Sequence, residues 1–316
     1  MAGPAKSSNS SQPYVEWRRH VMVDNGSALR NEYALMRNDP TGATTAFQSH
    51  PELNRYANVF LADETRVLLN DGLLGEYIHA SRAPTVRTIR EYWRMVWQER
   101  IQVCVCLTSL QEDNAEKAVC FFPMTAERPY RAGPFRVILT EVDEKVNRKV
   151  VVCRFRLICW FASHIRRERD MHFVFYGDWP DRGVPQNPAT FLDLCETLRQ
   201  LQQTAWRQWR PQIDFDKARP MTEAPPLLVN CSAGVGRSAT LAVSMIETER
   251  LHDVRQVDLF GTARRVRQQR PGSIQNVMQY VFIGRVIAEA WQRMMEEEEK
   301  SVVIAHQSLM QTVLEK

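Results

Sequence analysis

The run Leu227-Leu228-Val229-Asn230-Cys231-Ser232-Ala233-Gly234-Val235-Gly236-Arg237-Ser238 sets a cysteine and an arginine at the two ends of a loop of small residues. Leu227 to Val229 reads as a short buried strand, and Ala239 to Arg250 as a helix that starts at the arginine. In that setting the loop N–H groups converge on one point. The helix N-terminus adds its unpaired donors and the positive end of its dipole. Gly234 and Gly236 let the backbone turn inward. Arg237 brings a planar fork that matches two oxygens of a phosphate. The pattern predicts a cradle for a tetrahedral dianion, formed by Ser232, Ala233, Gly234, Val235, Gly236 and Arg237, with the Cys231 sulfur at its base. The same positive field favours thiolate over thiol, which makes Cys231 a nucleophile. An inert buried thiol is the common fate of a lone cysteine. The paired arginine, the glycines and the flanking strand and helix argue against it here.

Other segments must hold that loop in place. Ile101 to Leu107 reads as a buried strand, Phe135 to Glu141 and Lys149 to Phe161 as strands joined by a polar turn, and Met171 to Tyr176 as another strand. Arg90 to Glu99 puts Tyr92, Trp93, Val96 and Trp97 on one helical face. Tyr14 to Met36 reads as one or two surface helices, with Asp39-Pro40-Thr41-Gly42 as a turn after them. Asn187-Pro188 starts a helix expected to end near Gln203, and residues 207–225 read as a Pro-rich surface loop. Asp258 to Gln269 reads as a helix with Arg264, Arg265 and Arg267 as mostly solvated charges. The last helix is expected to end around Lys300.

Composition bounds the class. A chain of 316 residues with 44% hydrophobic and 25% charged residues can bury a sizeable core. The net charge of +4 suits an anionic ligand, and no basic block or nucleic-acid motif is present. Seven cysteines lack CxxC pairs and Cys/His metal spacing, so most read as reduced core residues of a reducing compartment. No run reaches transmembrane length and no signal-peptide core is seen, which predicts a cytosolic or nuclear protein without membrane insertion. Residues 1–12 are small and polar and are expected to be disordered. One domain over residues 13–297 and a tail over 298–316 follow.

The Cys231 segment resembles the signature of the cysteine-dependent protein tyrosine phosphatases, in their phosphotyrosine-specific, single-domain non-receptor form: His-Cys-Ser-x-Gly-x-Gly-Arg-Ser/Thr. The match runs from Cys231 to Ser238, with Asn230 where the family has His. A second match is Trp179-Pro180-Asp181-Arg182-Gly183-Val184-Pro185, similar to the family's mobile acid loop at every fixed position. A third is Asn54-Arg55-Tyr56-Ala57-Asn58-Val59, similar to the substrate-tyrosine loop, with Leu53 in place of Lys and Asn58 in place of Asp. The resemblance covers residues 30–295 or so.

It implies an α/β fold, a highly twisted mixed sheet flanked by helices on both sides. It implies hydrolysis of phosphotyrosine in proteins through a phosphocysteine intermediate, without metal or other cofactor. Cys231 would attack phosphorus, Arg237 hold the phosphate, and Asp181 act as general acid, an effect worth ~10²–10⁴-fold. Trp179 would anchor the acid loop, Tyr56 stack on the substrate ring, and Asn58 hold the peptide backbone. Gln275, with Gln279 assisting, would position the hydrolytic water, and Ser238 would donate to the sulfur. Glu112 would brace Arg237, with Lys117 nearby. In the family the His before the cysteine partners a Tyr hydroxyl; here Asn230 and Phe121 alter both ends of that bond. Two readings stay open: a phosphatase with reduced activity, and a weakly active or inactive module that binds phosphotyrosine.

Overall fold

The computed structural model describes residues 11–22, 26–36, 42–73, 75–80, 84–112, 115–116, 119–147, 149–160, 166–180, 183–213 and 224–314. In chain order the elements are β1 (Gln12–Pro13), α1 (Tyr14–Met22), α2 (Ser27–Leu35), α3 (Thr45–Ser49), a 3-10 turn (Pro51–Leu53), α4 (Ile89–Gln98), β2 (Val103–Cys106), β3 (Gln111–Glu112), β4 (Ala115–Glu116), β5 (Tyr130–Ala132) and β6 (Phe135–Asn147). They continue with β7 (Val150–Trp160), β8 (Arg166–Tyr176), α5 (Pro188–Ile213), β9 (Leu228–Asn230), α6 (Arg237–Val254), β10 (Gln256–Val257), α7 (Leu259–Gln269) and α8 (Val277–Leu314).

The main sheet is a mixed, curled sheet with strand order β5-β6-β7-β8-β2-β9. The long strands β6, β7 and β8 form an antiparallel meander, whereas β2 runs parallel to both β8 and β9. The Val103-Cys104-Val105-Cys106 run is buried at every position, as a strand covered on both faces must be. Its side chains alternate. Val103 and Val105 pack into one core with α1, α2, α5, α6, α7 and α8, and Cys104 and Cys106 into a second core beneath α4. The α/β class with helices on both faces agrees with the sequence reading.

Three boundaries differ from expectation. Gln12 pairs with Val257 and the Ser11 hydroxyl donates to Gln256, so ordered chain begins inside the segment expected to be disordered. Helix α5 passes Gln203 and ends two residues beyond Pro211. Ala205 is buried in the core there, and a proline in a final turn removes little of the helix. Helix α8 does not stop near Lys300 but continues to Leu314, because no Pro or Gly interrupts the run of helix formers after Gly284. The Asp39–Gly42 turn lies almost entirely outside the described residues, as do residues 214–223 of the expected loop. No helix among the described residues is long and apolar enough to cross a membrane.

Helix α4 carries a buried charge that periodicity did not reveal. Arg94 is fully buried and holds Asp71 through two bonds, Nε to Oδ2 at 2.9 Å and Nη2 to Oδ1 at 2.5 Å. Two further donors reach the carbonyls of Leu73 and Gly75. These bonds hold the Asp71 carboxyl below its ordinary range. A carboxylate with a lowered folded value stabilises the fold above about pH 4, and that contribution is lost as pH falls through the folded value. Asp71→Asn is expected to lower unfolding free energy by about 3 kcal/mol at pH 7, because Arg94 loses its counter-charge. Urea titrations of both proteins along a pH series check this: the gap should close on acidification.

Candidate active site

Strand β9 ends at Asn230 and helix α6 begins at Arg237, so residues 231–236 arch over the carboxyl edge of the sheet. Cys231 is 3% exposed at the base of the arch. The Gly234 N–H donates to its Sγ at 3.2 Å.

The direction of the loop amides follows from peptide planarity. In a trans peptide the C=O and the next residue's N–H point opposite ways. The Ala233 and Gly234 carbonyls each accept from the Arg270 guanidinium at 3.4 Å, and the Val235 carbonyl accepts from the Ile274 N–H at 2.9 Å. All three carbonyls are thus drawn outward. The N–H groups of Gly234, Val235 and Gly236 are turned to the concave side.

The two loop glycines are required for different reasons. Gly234 has φ +69°, in the left-handed region. Gly236 does not; a Cβ there would stand 2.9 Å from Gln279 Nε2 and 3.1 Å from Gln275 Oε1. The glutamine pair therefore lies directly against the loop. Gln279 Oε1 accepts from the Gln275 N–H at 2.8 Å, which ties the two residues together.

Arg237, half-buried at the first position of α6, donates from Nη1 to the Leu107 carbonyl at 3.0 Å, just past the end of β2. Residue 112 lies in β3, and its side chain is outside the described residues; Lys117 is outside them entirely. Tyr56 meets the loop by a hydroxyl contact to Ser232 Oγ at 2.7 Å. Its own segment is set by Asn54, which donates to the Phe47 carbonyl and accepts from Tyr77 OH, with His50 stacked on the Tyr77 ring at 4.4 Å. Asn58 is exposed.

Trp179 is buried. Its Nε1 donates to the Gly183 carbonyl at 3.0 Å, and its ring packs edge-on against Phe191 and Phe282. Asp181 and Arg182 lie outside the described residues, between Pro180 and Gly183, whose own backbones are bonded to each other. Asp178 pairs with Lys149 at 2.8 Å.

The Ser238 hydroxyl donates to the Val229 carbonyl at 3.4 Å, back toward β9, and the Gly234 N–H donates to the sulfur. Asn230, buried, has a hydroxyl partner other than residue 121: its Nδ2 donates to the Tyr92 hydroxyl at 2.9 Å. Most other thiols behave as core residues. Burial pushes Cys106 and Cys195 up to about 12 and Cys153 and Cys159 up to about 11, while Cys120 is exposed.

Sequence reasoning also missed the basic residues that hold the site from behind. Arg267 is buried, not solvated. It donates to the carbonyls of Ser273, Ile274 and Met36 and lies over the Tyr33 ring at 5.0 Å. It keeps Ile274 at φ +56°, a conformation a β-branched residue adopts only under constraint. Arg264 and Arg265 are exposed, as expected.

The profile of the family described as protein-tyrosine phosphatase matches residues 50–289. The chain belongs to the protein-tyrosine phosphatase family. It is 30% identical over 291 residues to the receptor-type tyrosine-protein phosphatase F of Rattus norvegicus, covering 85% of this chain and 14% of that protein. It is 28% identical over 291 residues to the human tyrosine-protein phosphatase non-receptor type 9, covering 85% of this chain and 47% of that protein. A tyrosine-protein phosphatase Lar-like protein of Caenorhabditis elegans is 26% identical over 305 residues, covering 90% of this chain and 13% of its own length. The chain thus spans less than half the length of each of these phosphatases.

Arg267→Met keeps the volume of the side chain and removes donors to three buried carbonyls. It is expected to cost about 3 kcal/mol in a urea titration, since orphaned acceptors cost ~1–3 kcal/mol each and partly recover water.

Proposed function

We propose that this protein hydrolyses phosphotyrosine in proteins by way of a phosphocysteine intermediate. The observation that carries this reading is the set of three loop N–H groups turned toward the space above the Cys231 sulfur, with Arg237 at the rim. Donors fixed in advance at the place where charge develops need no reorganisation during reaction.

In the first step the Cys231 thiolate attacks phosphorus. The bond to the tyrosine oxygen breaks, and Asp181 delivers its proton to the departing phenolate. Arg237 and the amides of Gly234, Val235 and Gly236 carry the charge of the equatorial oxygens, and Tyr56 lines the cleft for the aromatic ring. In the second step a water held by Gln275 and Gln279 gives a proton to Asp181 and attacks phosphorus. The sulfur leaves as thiolate and inorganic phosphate is released. The contact of both glutamines with Gly236 supports their place in this step. Glu112 would steady Arg237, Lys117 would lie near it, and Asn58 would hold the substrate backbone. The protein would work in the cytosol or nucleus.

Asn230 makes turnover slower than a histidine would, by roughly ten- to a thousandfold, or about 1.4–4 kcal/mol of barrier. The amide replaces an imidazole that in the family helps to order the cysteine and its loop, so the sulfur is less strongly activated.

Single-turnover hydrolysis of a phosphotyrosine peptide tests the scheme. The parent should turn over, Cys231→Ser should not, and Asp181→Ala should slow the reaction by ~10²–10⁴-fold. A parent no faster than Cys231→Ser, with peptide binding retained, would overturn the hydrolytic reading in favour of a phosphotyrosine-binding module.

Gly236→Ala separates the two steps. Its methyl group displaces only side-chain ends, so the fold should survive. Displacing the glutamines should slow loss of phosphate from sulfur more than its gain, seen as a burst of released phenol followed by a slow steady state.

A further inference from the structure

Asn230 ends β9 and Cys231 follows it directly, and the two side chains face opposite sides of the sheet, as successive residues of an extended chain do. Cys231 packs in the core with α5, α6 and α8. Asn230 points the other way, toward α4. Both Asn230 and Tyr92 are 1% exposed. The Asn230 main chain is fixed by its carbonyl, which accepts from the Leu107 N–H at 2.8 Å. Its side chain is held by the Tyr92 hydroxyl and also meets the Cys106 thiol, while among the described residues Asn230 Oδ1 is buried without a hydrogen-bond partner. A thiol is a weak partner, so the bond to Tyr92 is the main one that orients this amide.

The Tyr92 hydroxyl is itself well placed to hold it. It donates to Cys104 Sγ at 3.7 Å, and its ring sits edge-on to Trp93 and Phe121, with centroids 5.4 Å and 4.9 Å away. Trp93 in turn donates to the Phe121 carbonyl at 3.0 Å, locking the two ring-bearing segments together. Phe121 carries no hydroxyl; the ring packed against it does.

We propose that Tyr92 is a positioning residue for Cys231: its hydroxyl fixes Asn230, and through Asn230 the stretch of backbone that presents the sulfur to the loop amides. The proposal rests on the phosphatase reading of the site. Tyr92 is buried on the far side of the sheet from the Cys231 sulfur and acts on it only through Asn230. A rigid strand end sets where the sulfur lies relative to the Gly234 N–H, and small displacements of a reacting atom are costly.

The test compares the parent with Tyr92→Phe, Asn230→Ala, the double variant, and a triple variant, Tyr92→Phe with Phe121→Tyr and Asn230→His. The exchange of Tyr92 and Phe121 in the triple variant moves one oxygen across the ring pair and conserves their volume, and histidine at 230 gives that oxygen a ring nitrogen to meet. Two readouts are taken well below the melting temperature of the least stable variant. One is kcat and KM on a phosphotyrosine peptide. The other is the rate at which iodoacetate alkylates Cys231 at pH 7, followed at that residue by peptide mass spectrometry. Tyr92→Phe is expected to lower kcat and the alkylation rate about tenfold, or ~1.4 kcal/mol, with KM nearly unchanged. The double variant should be no slower than the slower single one, because both act through one bond. The triple variant should regain both rates. A Tyr92→Phe protein that melts earlier but keeps the parent's kcat and alkylation rate would overturn the proposal, as would losses that multiply in the double variant. If the parent fails to turn over while Tyr92→Phe still slows alkylation, the hydrolytic reading falls and the positioning role stands.

Discussion

Peptide planarity is the constraint on which the site depends. An arch of six residues can aim its N–H groups inward only if the matching carbonyls are satisfied outside. Here the outside partners are the Arg270 guanidinium and the Ile274 N–H, both from the segment between α7 and α8. That segment is held by Arg267, whose three carbonyl bonds draw Ser273 and Ile274 toward α2. The anion cradle is therefore the inner surface of a two-layer backbone structure. Its outer layer also delivers Gln275 and Gln279 onto Gly236. The same stretch of chain thus supports the loop from outside and packs two side-chain amides against it.

The sheet divides the work of holding Cys231 between its two faces. On one face the thiol sits in the core formed with α5, α6 and α8. On the other, Asn230 engages α4 through Tyr92. Strand β2 lies between β8 and β9 and fixes both β9 and Arg237 through the backbone of Leu107, which donates to Asn230 and accepts from Arg237. A central parallel strand suits this task, because both its edges are paired and its position cannot drift.

Much of this was legible in the sequence. The strand, small-residue loop and helix around Cys231 announce themselves by composition, and the Trp179 and Tyr56 segments follow recognisable patterns. What stayed hidden shares one property: its partner is a backbone carbonyl or a lone hydroxyl far away in the chain. Arg267 looked solvated because nothing in its helical spacing distinguishes it from Arg264 and Arg265; only the fold brings the Met36 carbonyl to it. Tyr92 looked like one more core aromatic, since its helical position explains its burial and says nothing of an amide 138 residues later. The ends of α5 and α8 were misjudged for a simpler reason: a proline near a helix end and a change from charged to apolar residues are weak stop signals when the chain around them still favours helix.

The family match begins at residue 50, but the physical unit does not. The hairpin of α1 and α2 precedes it, and its residues reach the back of the site: the Met36 carbonyl accepts from Arg267, Tyr33 OH donates to the Ile274 carbonyl, and Glu32 accepts from Tyr280 OH. Leu29 also fills the space beside Gly284, so close that a methyl group there would collide. A fragment trimmed to the family boundary would lose Trp17 and Leu29, uncover the face of α8 around Gly284, and leave the Tyr280 hydroxyl and one arm of Arg267 facing the gap. Excision of the first forty-odd residues would thus injure chemistry two hundred residues away, which makes the amino-terminal hairpin a splint for the carboxyl-terminal half.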